Sequence, residues 1–210
     1  GRNVLNEAMD IHGGAAICKG YSNFLEKYYK SAPIGITVEG SNTLTRSLII
    51  FGQGLNKSHP YIFPILDSVL NNDLNSFRTN FNNMVRHTTS MYFKSFSFKR
   101  DINQQMINFS NLTNFVALKG GKLKREQMLS GDMADVFSNL YMAISVKYYQ
   151  NKNSVSEKMT NYIINKLLHE NQCKINKIID NLSHEKYLLY HMKKTINPPS
   201  YHEERELFDE

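Results

Sequence analysis

The apolar residues of the chain recur mostly at spacings of three and four, the period of an α-helix that buries one face. Such patterns predict helices over roughly residues 65–95, 104–118, 122–150, 154–181 and 184–195. In the strongest of them, "SGDMADVFSNLYMAISVKYY", one broad apolar stripe is formed by Met133, Val136, Phe137, Leu140, Ile144 and Tyr148. The predicted fold class is therefore all-α, a helical bundle.

The N-terminal part has shorter patterned stretches with glycine and proline between them. The stretch "NVLNEAMDIHGG" is typical of the end of a helix, which Gly13 and Gly14 would stop. Residues 33–38 are predicted to be extended. Ser41 and Asn42 are good N-cap candidates for the helix that follows.

The composition indicates a globular protein and argues against nucleic-acid binding and a metal site. With 41% hydrophobic and 21% charged residues, the balance is that of a globular chain. The net charge of +6 is spread along the sequence, which favours a solvated basic surface over a nucleic-acid groove. Cys18 and Cys173 lack metal-type or redox-type spacing, which indicates a reducing, cytoplasmic setting. His59 and His87 lack partners at metal-ligand spacing, so no metal site is predicted.

Glu39 is an isolated acid at the end of the apolar run "ITV", followed at once by Gly40 and a helix-like segment. Burial raises the pKa of such a carboxyl group, whereas a helix N-terminus lowers it. A carboxylate in this setting suits a general base that removes a proton from carbon. A bare Glu-Gly before a helix is nevertheless more often a capping arrangement than an active site.

The combination of motifs resembles a known family. "AMDIHGG", followed by "FLEKYYKSAPIGITVEGSNTLTRSLII", is similar to the C-terminal domain of acyl-CoA dehydrogenases, in particular the long bacterial enzymes of fatty-acid β-oxidation. Gly13 and Gly14 match the family's glycine pair, Glu39 and Gly40 match its Glu-Gly, and Arg46 matches an arginine of the following helix. Residues from about 60 onward, including "LKGGKLKRE", resemble the helical C-terminal extension of those enzymes, more loosely up to 150.

The resemblance implies roles for individual residues. Glu39 would be the catalytic base that takes the α-proton of a fatty acyl-CoA while a hydride leaves the β-carbon for FAD, and Glu39 with Gly40 would contact the substrate. The implied FAD-binding residues are Asp10, His12, Gly13, Gly14, Ser41, Asn42 and Thr43. The chain departs from the family pattern at Asp10, which stands where most members have Gln, and at Val38, Ser41 and Lys30.

The same resemblance implies a domain layout and partners. Residues 1–56 would end the family's C-terminal helical domain, residues 57–200 would be a helical extension, and residues 201–210 would be a charged, frayed tail. The helix-like start at Gly1 predicts that the enzyme's N-terminal portion lies upstream. Expected partners are acyl-CoA, an electron-transfer flavoprotein and further copies of the chain, with no nucleic acid. The expected location is the bacterial cytoplasm, with any membrane association through upstream segments, since no transmembrane segment is predicted here.

Two alternatives remain open. The first is a truncated or degenerate helical bundle without catalysis, favoured by the absence of flavin-binding domains and by the many Asn residues along the later helices. The second is a basic nucleic-acid binder that uses the aromatic residues of "SMYFKSFSFKR" for stacking. We favour core positions for those aromatic side chains, on a helix whose opposite face is solvated.

Overall fold

The structure, a computed structural model, describes residues 1–37, 42–54 and 59–207. Within these ranges the regular elements are helices and no strand occurs, which confirms the all-α prediction. The chain divides into two compact units, Gly1–Thr45 and Arg46–Glu210. Each unit is described by itself.

The first unit consists of short helices with few buried side chains. Its elements are α1 (Arg2–His12), α2 (Gly14–Ile17), α3 (Glu26–Ser31), α4 (Ile34–Thr37) and α5 (Asn42–Leu44). Gly13 ends α1 as predicted, with φ +53° and its N–H donating to the Met9 carbonyl at 2.8 Å. Ala16 and Leu25 are the buried side chains in the described part of this unit. Asn23 connects them, because its amide donates to the Ala16 carbonyl and its oxygen accepts from the Leu25 N–H.

The prediction of extended backbone over residues 33–38 is wrong for the described part of that range. Ile34–Thr37 form the helical turn α4, and the Ile36 N–H donates to the Pro33 carbonyl at 3.0 Å. Proline disrupts a helix interior, but at a helix start its fixed φ is suitable and its missing N–H is not needed. Pro33 therefore begins a helical turn where we expected extended backbone.

The second unit has longer helices. They are a π-helix, π1 (Thr45–Gln53), α6 (Ile62–Leu70), α7 (Leu74–Lys94), α8 (Ile102–Ala117), α9 (Gln127–Lys152), α10 (Glu157–Asn181), α11 (Glu185–Leu189) and α12 (Tyr201–Glu206), with 3₁₀ turns at Gly120–Lys124 and Tyr190–Met192. The single helix predicted over 65–95 is two helices. Asn72 has φ +53°, which interrupts the helix, and the Asp73 carboxylate then caps α7 by accepting from the N–H groups of Asn75 and Ser76.

The core of this unit lies among α8, α9 and α10, with α9 and α10 forming its main helix pair. The buried cluster consists of Leu112, Val116, Met133, Ala134, Val136, Leu140, Ile175, Ile178, Ile179, Leu182, Leu189 and Met192. Ile50 of π1 packs against it. Burial of these side chains is the main favourable contribution to the stability of the unit.

The apolar stripe predicted on α9 is only half buried. Met133 and Leu140 are buried, whereas Phe137 is 46%, Ile144 42% and Tyr148 61% exposed. The buried residues of α9 all lie between positions 130 and 143. Ile144 and Tyr148 are exposed because α9 continues for more than two turns past its core contacts, whereas Phe137 lies within the buried range but at the edge of the buried face.

The aromatic side chains of residues 93–98 are not core residues, contrary to our preferred interpretation. Phe93, Phe96 and Phe98 are 69%, 49% and 94% exposed. Helix α7 ends at Lys94, so Phe96 and Phe98 lie beyond the helix whose face was predicted to bury them, and Phe93 lies on its exposed side. The Phe96 ring stacks on His191, with the ring centroids 3.9 Å apart.

Amide side chains are buried beside the apolar core. Gln104, Gln105, Asn108 and Asn111 of α8 and Asn171 and Gln172 of α10 are each no more than 4% exposed. Gln105 donates to the Leu168 carbonyl at 2.7 Å, and Gln172 donates to the Met192 carbonyl at 3.0 Å. Burying an amide is unfavourable unless it is hydrogen-bonded, so these two bonds fix how α10 meets its neighbours.

The described part of the predicted frayed tail is a helix. Ser200 caps α12 in a capping box, accepting from the Glu203 N–H while the Glu203 side chain accepts from the Ser200 N–H. Tyr162 of α10 donates a hydrogen bond to Glu204, and this bond raises the pKa of Tyr162 to about 12. Residues 201–206 are therefore tied to α10.

Candidate functional site

The predicted base and its neighbours, Glu39, Gly40 and Ser41, lie outside the described residues. The other predicted site residues fall in the first unit. Asp10 and His12 are exposed residues of the last turn of α1, Gly13 and Gly14 follow them, and Asn42 and Thr43 are exposed residues of α5.

The glycine pair leaves one side of the backbone open. A Cβ atom at Gly13 or Gly14 would meet nothing within 4 Å, and only Gly13, at φ +53°, needs glycine for its conformation. The His12 ring packs edge-to-face on Phe24 at 5.1 Å. This geometry leaves room for another group to contact the backbone from one side. The neighbouring residues that the structure describes are mostly exposed and do not enclose this side.

The second unit contains an ion-pair network that we call the Arg46 cluster: Arg46, Asp132, Asp135, Lys174 and Lys177. Arg46 holds Asp135 through two parallel bonds, Nε to Oδ1 and Nη2 to Oδ2, each 2.5 Å. Lys174 reaches the same Asp135 Oδ2 at 2.7 Å, and Lys177 pairs with Asp132 at 2.8 Å. The cluster joins π1, α9 and α10.

The cations determine the protonation state of Asp135. Burial by itself would raise the pKa of Asp135, but the hydrogen bonds from Arg46 and Lys174 outweigh it and lower the pKa. The bond to Asp135 in turn raises the pKa of Arg46. Both groups are therefore charged at neutral pH, and a two-pronged bond between charged groups is among the stronger kinds of hydrogen bond.

Gly131 makes room for the guanidinium group. A Cβ atom at Gly131 would lie 3.0 Å from Arg46 Nη1 and 3.1 Å from Cζ. The planar guanidinium group therefore packs directly against the backbone of α9, at a residue that has no side chain. Arg46 is thus held both by its ion pair with Asp135 and by close packing against the backbone at Gly131.

Sequence reasoning singled out Arg46 from the family pattern but missed its partners. Asp132 and Asp135 are three residues apart on α9, and Lys174 and Lys177 are three apart on α10. This spacing places each pair on one helix face. The spacing within each pair was thus visible in the sequence. That the two pairs meet was not, because they are about forty positions apart and local patterns do not show which helix faces pack together.

Other kinds of site find little support in the described residues. No group of three or more His, Cys, Asp or Glu side chains is arranged to hold a metal ion. No described helix is both long enough and apolar enough to cross a membrane. A shallow groove of about 420 Å³ runs between α10 and residues 196–203, and Arg100, Asn165 and Glu203 are among its lining residues. None of the predicted site residues lines it.

Comparison with known families agrees with the helical architecture of the second unit. The protein-family model described as "Acyl-CoA dehydrogenase, C-terminal, bacterial type" matches residues 96–206, from just before α8 to the end of α12. The match covers more than half of the chain, which therefore belongs to this family. It extends past residue 150, beyond which we had not traced the resemblance. No solved structure matches the chain.

Proposed function

We propose that this chain is the C-terminal part of an FAD-dependent acyl-CoA dehydrogenase that converts fatty acyl-CoA to trans-2-enoyl-CoA in fatty-acid β-oxidation. The observation that carries the proposal is the family match over residues 96–206, in a chain whose preceding residues contain the Gly-Gly, Glu-Gly and Arg motifs in the family's order. The proposed layout has residues 1–56 ending the catalytic helical domain and residues 57–200 as its extension.

Glu39 is the proposed catalytic base. It follows an apolar run, and it has no acidic neighbour in sequence until Asp67. A carboxylate with little water around it takes a proton from carbon more readily, because it is less stabilised by hydration. The proton that Glu39 accepts is the one on the carbon next to the thioester carbonyl. Gly40 allows the thioester to approach the backbone closely.

The proposed cofactor is FAD, which when bound supplies the acceptor for the hydride that leaves the β-carbon. Asp10, His12, Gly13 and Gly14 would contact it from the open side of the α1–α2 turn, and Ser41, Asn42 and Thr43 from the start of the following helix. Asp10 accepts hydrogen bonds where the usual family Gln can also donate, so its contact must be with a donor. Domains upstream would enclose the flavin and the acyl chain.

The remaining proposals come from the family. Members act in general on acyl-CoA substrates and form oligomers, and we extend both properties to this chain. Electrons would pass on to an electron-transfer flavoprotein. The proposed location is the bacterial cytoplasm.

The test is Glu39→Gln in the full-length protein, with Glu7→Gln as the matched control. Glu7 is an exposed carboxylate on α1, and nothing assigns it a role. Glu39→Gln is expected to keep bound flavin and acyl-CoA binding while turnover falls at least about 1,000-fold, because an amide cannot accept the proton at neutral pH. Glu7→Gln should match wild type. Turnover of Glu39→Gln within a few-fold of wild type would reject Glu39 as the base.

The alternative of a helical bundle without catalysis makes a different prediction for the same protein. Its structural support is the burial of amide side chains beside the apolar core, among them Gln105, Asn108 and Asn171. A full-length wild-type protein that neither retains flavin nor turns over acyl-CoA would favour this alternative.

A further inference from the structure

Exposed apolar and aromatic side chains lie where the end of α7 and the segment after it meet α11 and the turn that follows it. We call this surface the Phe98 patch, and its members are Phe93, Phe98, Tyr187, Leu188 and Tyr190. Their exposure ranges from 52% for Leu188 to 94% for Phe98. A single exposed apolar residue is ordinary on a protein surface, but a group of them on adjoining segments marks a site of interaction.

The two segments that form the patch are joined by direct contacts. The Tyr92 hydroxyl donates to the Leu188 carbonyl at 3.2 Å, and the hydroxyl of the buried Ser95 lies 2.6 Å from His191 Nε2. The stacked rings of Phe96 and His191 add a third contact. Residues 92–98 and 187–191 therefore form one connected surface, although they are about ninety positions apart in the sequence.

The same two segments are strongly basic. Only two acids, Asp101 and Glu185, occur in residues 92–101 and 184–194, against six cations, which are Lys94, Lys99, Arg100, Lys186, Lys193 and Lys194. Lys193 also pairs with Asp180, at 2.6 Å, so part of the positive charge is offset. Apolar and aromatic side chains combined with an excess of cations are typical of surfaces that bind anionic lipid.

The arrangement of the rings favours lipid over nucleic acid. Bases of single strands stack on the faces of aromatic rings. In the patch, the ammonium groups of Lys186 and Lys193 lie over the rings of Tyr187 and Tyr190, each Nζ 5.4 Å from the ring centroid. These ring faces are thus shared with cations. A lipid headgroup layer suits such pairs better, because it accepts ring edges and ammonium groups at the same depth.

The charge also disfavours a second copy of the chain as the occupant. In a two-fold symmetric dimer the same surface faces itself, so the cations of one patch would lie opposite the cations of the other. Like charges brought together in this way repel. An anionic membrane surface, in contrast, attracts every one of these cations.

We propose that the Phe98 patch docks the second unit on an anionic membrane surface. Phe93, Phe98 and Leu188 enter the apolar edge of the headgroup region, Tyr187 and Tyr190 lie at headgroup level, and the surrounding lysines and Arg100 bind lipid phosphates. The contact is peripheral, in keeping with the finding that no described helix is suited to cross a membrane. The inference does not depend on the role of Glu39.

The first experiment measures binding of the full-length protein to sedimenting vesicles. The vesicles contain about one-third phosphatidylglycerol in phosphatidylcholine, and phosphatidylcholine alone is the neutral reference. Phe98→Ser is compared with Tyr141→Ser, which removes a 67% exposed aromatic residue of α9 outside the patch. Phe98→Ser should weaken binding to anionic vesicles at least about tenfold, because a large apolar side chain no longer leaves water. Tyr141→Ser should bind as wild type does.

The second experiment tests the charge. Lys99→Gln combined with Arg100→Gln removes two cations of the patch, and Lys147→Gln combined with Lys152→Gln removes two cations of α9 as the matched control. Each cation near an anionic membrane strengthens binding about fivefold, so the patch variant should bind roughly 10- to 30-fold more weakly. The control should change little. Added salt should weaken wild-type binding, because it screens the attraction.

The third experiment asks whether the patch itself enters the lipid. The chain contains no tryptophan, so the fluorescence that Phe98→Trp adds to the wild-type signal reports on this position. With anionic vesicles this added emission should shift to shorter wavelength and be quenched by brominated lipid. The added emission of Tyr141→Trp should do neither.

Three results would overturn the proposal. Equal binding to neutral and anionic vesicles, or wild-type binding by Phe98→Ser, would mean that other segments bind the membrane. Binding of a single-stranded oligonucleotide that is lost in Phe98→Ser, without binding to vesicles, would make nucleic acid the partner. A smaller mass of Phe98→Ser in sedimentation, again without binding of the wild type to vesicles, would make a second copy of the chain the occupant.

Discussion

Residues 1–45 and residues 46–210 bury their side chains to very different extents. In the described part of the first unit, Ala16 and Leu25 are buried, and large apolar residues such as Ile11 and Tyr21 are mostly exposed. The second unit has a continuous buried cluster on α8, α9 and α10. The unit that carries most of the motifs of the proposed chemistry thus has little core of its own. The second unit has an apolar core that can stabilise it independently.

The ion pairs of the two units also differ, in how far apart the paired residues lie in the sequence. The ion pair described in the first unit joins Lys30 to Glu26, one turn away on an exposed helix face. Pairs of that kind contribute a few tenths of a kcal/mol. The Arg46 cluster in the second unit joins Arg46 to Asp135, 89 positions away. A local pair supports one helix, whereas a distant pair determines how helices are arranged.

The largest expected difference between the units concerns core truncation. Ile175→Ala removes a side chain that is 0% exposed, and should lower the free energy of unfolding of the second unit by about 3 kcal/mol. Leu25→Ala in the first unit should cost less, about 2 kcal/mol, because Ala16 is the only other buried apolar side chain described in that unit. Both values can be measured by denaturant titration with peptide-resolved hydrogen exchange.

Ile175→Val is the matched control for volume, and should cost about 1 kcal/mol. If Leu25→Ala destabilised its unit as much as Ile175→Ala does, the first unit would have a core that its exposed apolar residues do not suggest. The contrast between the two units would then be wrong.

The second expected difference concerns how stability depends on pH. Burial lowers the pKa of His191, and a backbone hydrogen bond only partly opposes this shift; burial likewise lowers the pKa of His59. A lowered folded-state pKa means that the stabilisation is fully present above the unfolded pKa of about 6.5 and is lost as pH falls through the folded value. The second unit should therefore become less stable below about pH 6.5, as measured by thermal unfolding across pH.

His191→Gln should flatten this dependence, because glutamine occupies the site without titrating. His12→Gln, at an exposed position of the first unit, is the control and should leave the dependence unchanged. A wild-type melting temperature that stays constant between pH 7 and pH 5 would contradict the assignment of acid sensitivity to His59 and His191.

The smallest expected effect is at the end of the second unit. Ser200→Ala removes the cap of α12 and should destabilise that helix by about 1 kcal/mol. Amide exchange in residues 201–206 should become roughly fivefold faster, with unfolding of the α8–α10 core unchanged. Equal exchange in wild type and variant would mean that these residues fray in solution, as the sequence first indicated.

The fold class and most helices of the second unit were predictable because their signals are local. Helical spacing of apolar residues gave α8, α9 and α10 to within a few positions, and Gly13 marked the end of α1. The misses are also local in origin. The pattern over 65–95 runs through the Asn71-Asn72-Asp73 break, which the turn chemistry of these residues could have indicated.

The candidate site was less accessible from the sequence. The motifs around Glu39 and Gly13 came from family resemblance, and the position of Glu39 stays a prediction. The partners of Arg46 could not be inferred, because an ion pair between residues 46 and 135 depends on how three helices pack. The exposure of Phe93 and Phe98 was unpredictable for the same reason, since an aromatic residue is buried only where a neighbouring element covers it.

The sequence by itself determined that this protein is helical, where most of its long helices lie and which family motifs it carries. Helix periodicity, caps and stops act over about four residues, and so can be recognised without a fold. Only the tertiary structure decided which part of α9 is buried, that amide side chains of α8 and α10 enter the interior, and that Arg46 meets Asp135 over Gly131. Those outcomes depend on surfaces that come together only when distant parts of the chain pack.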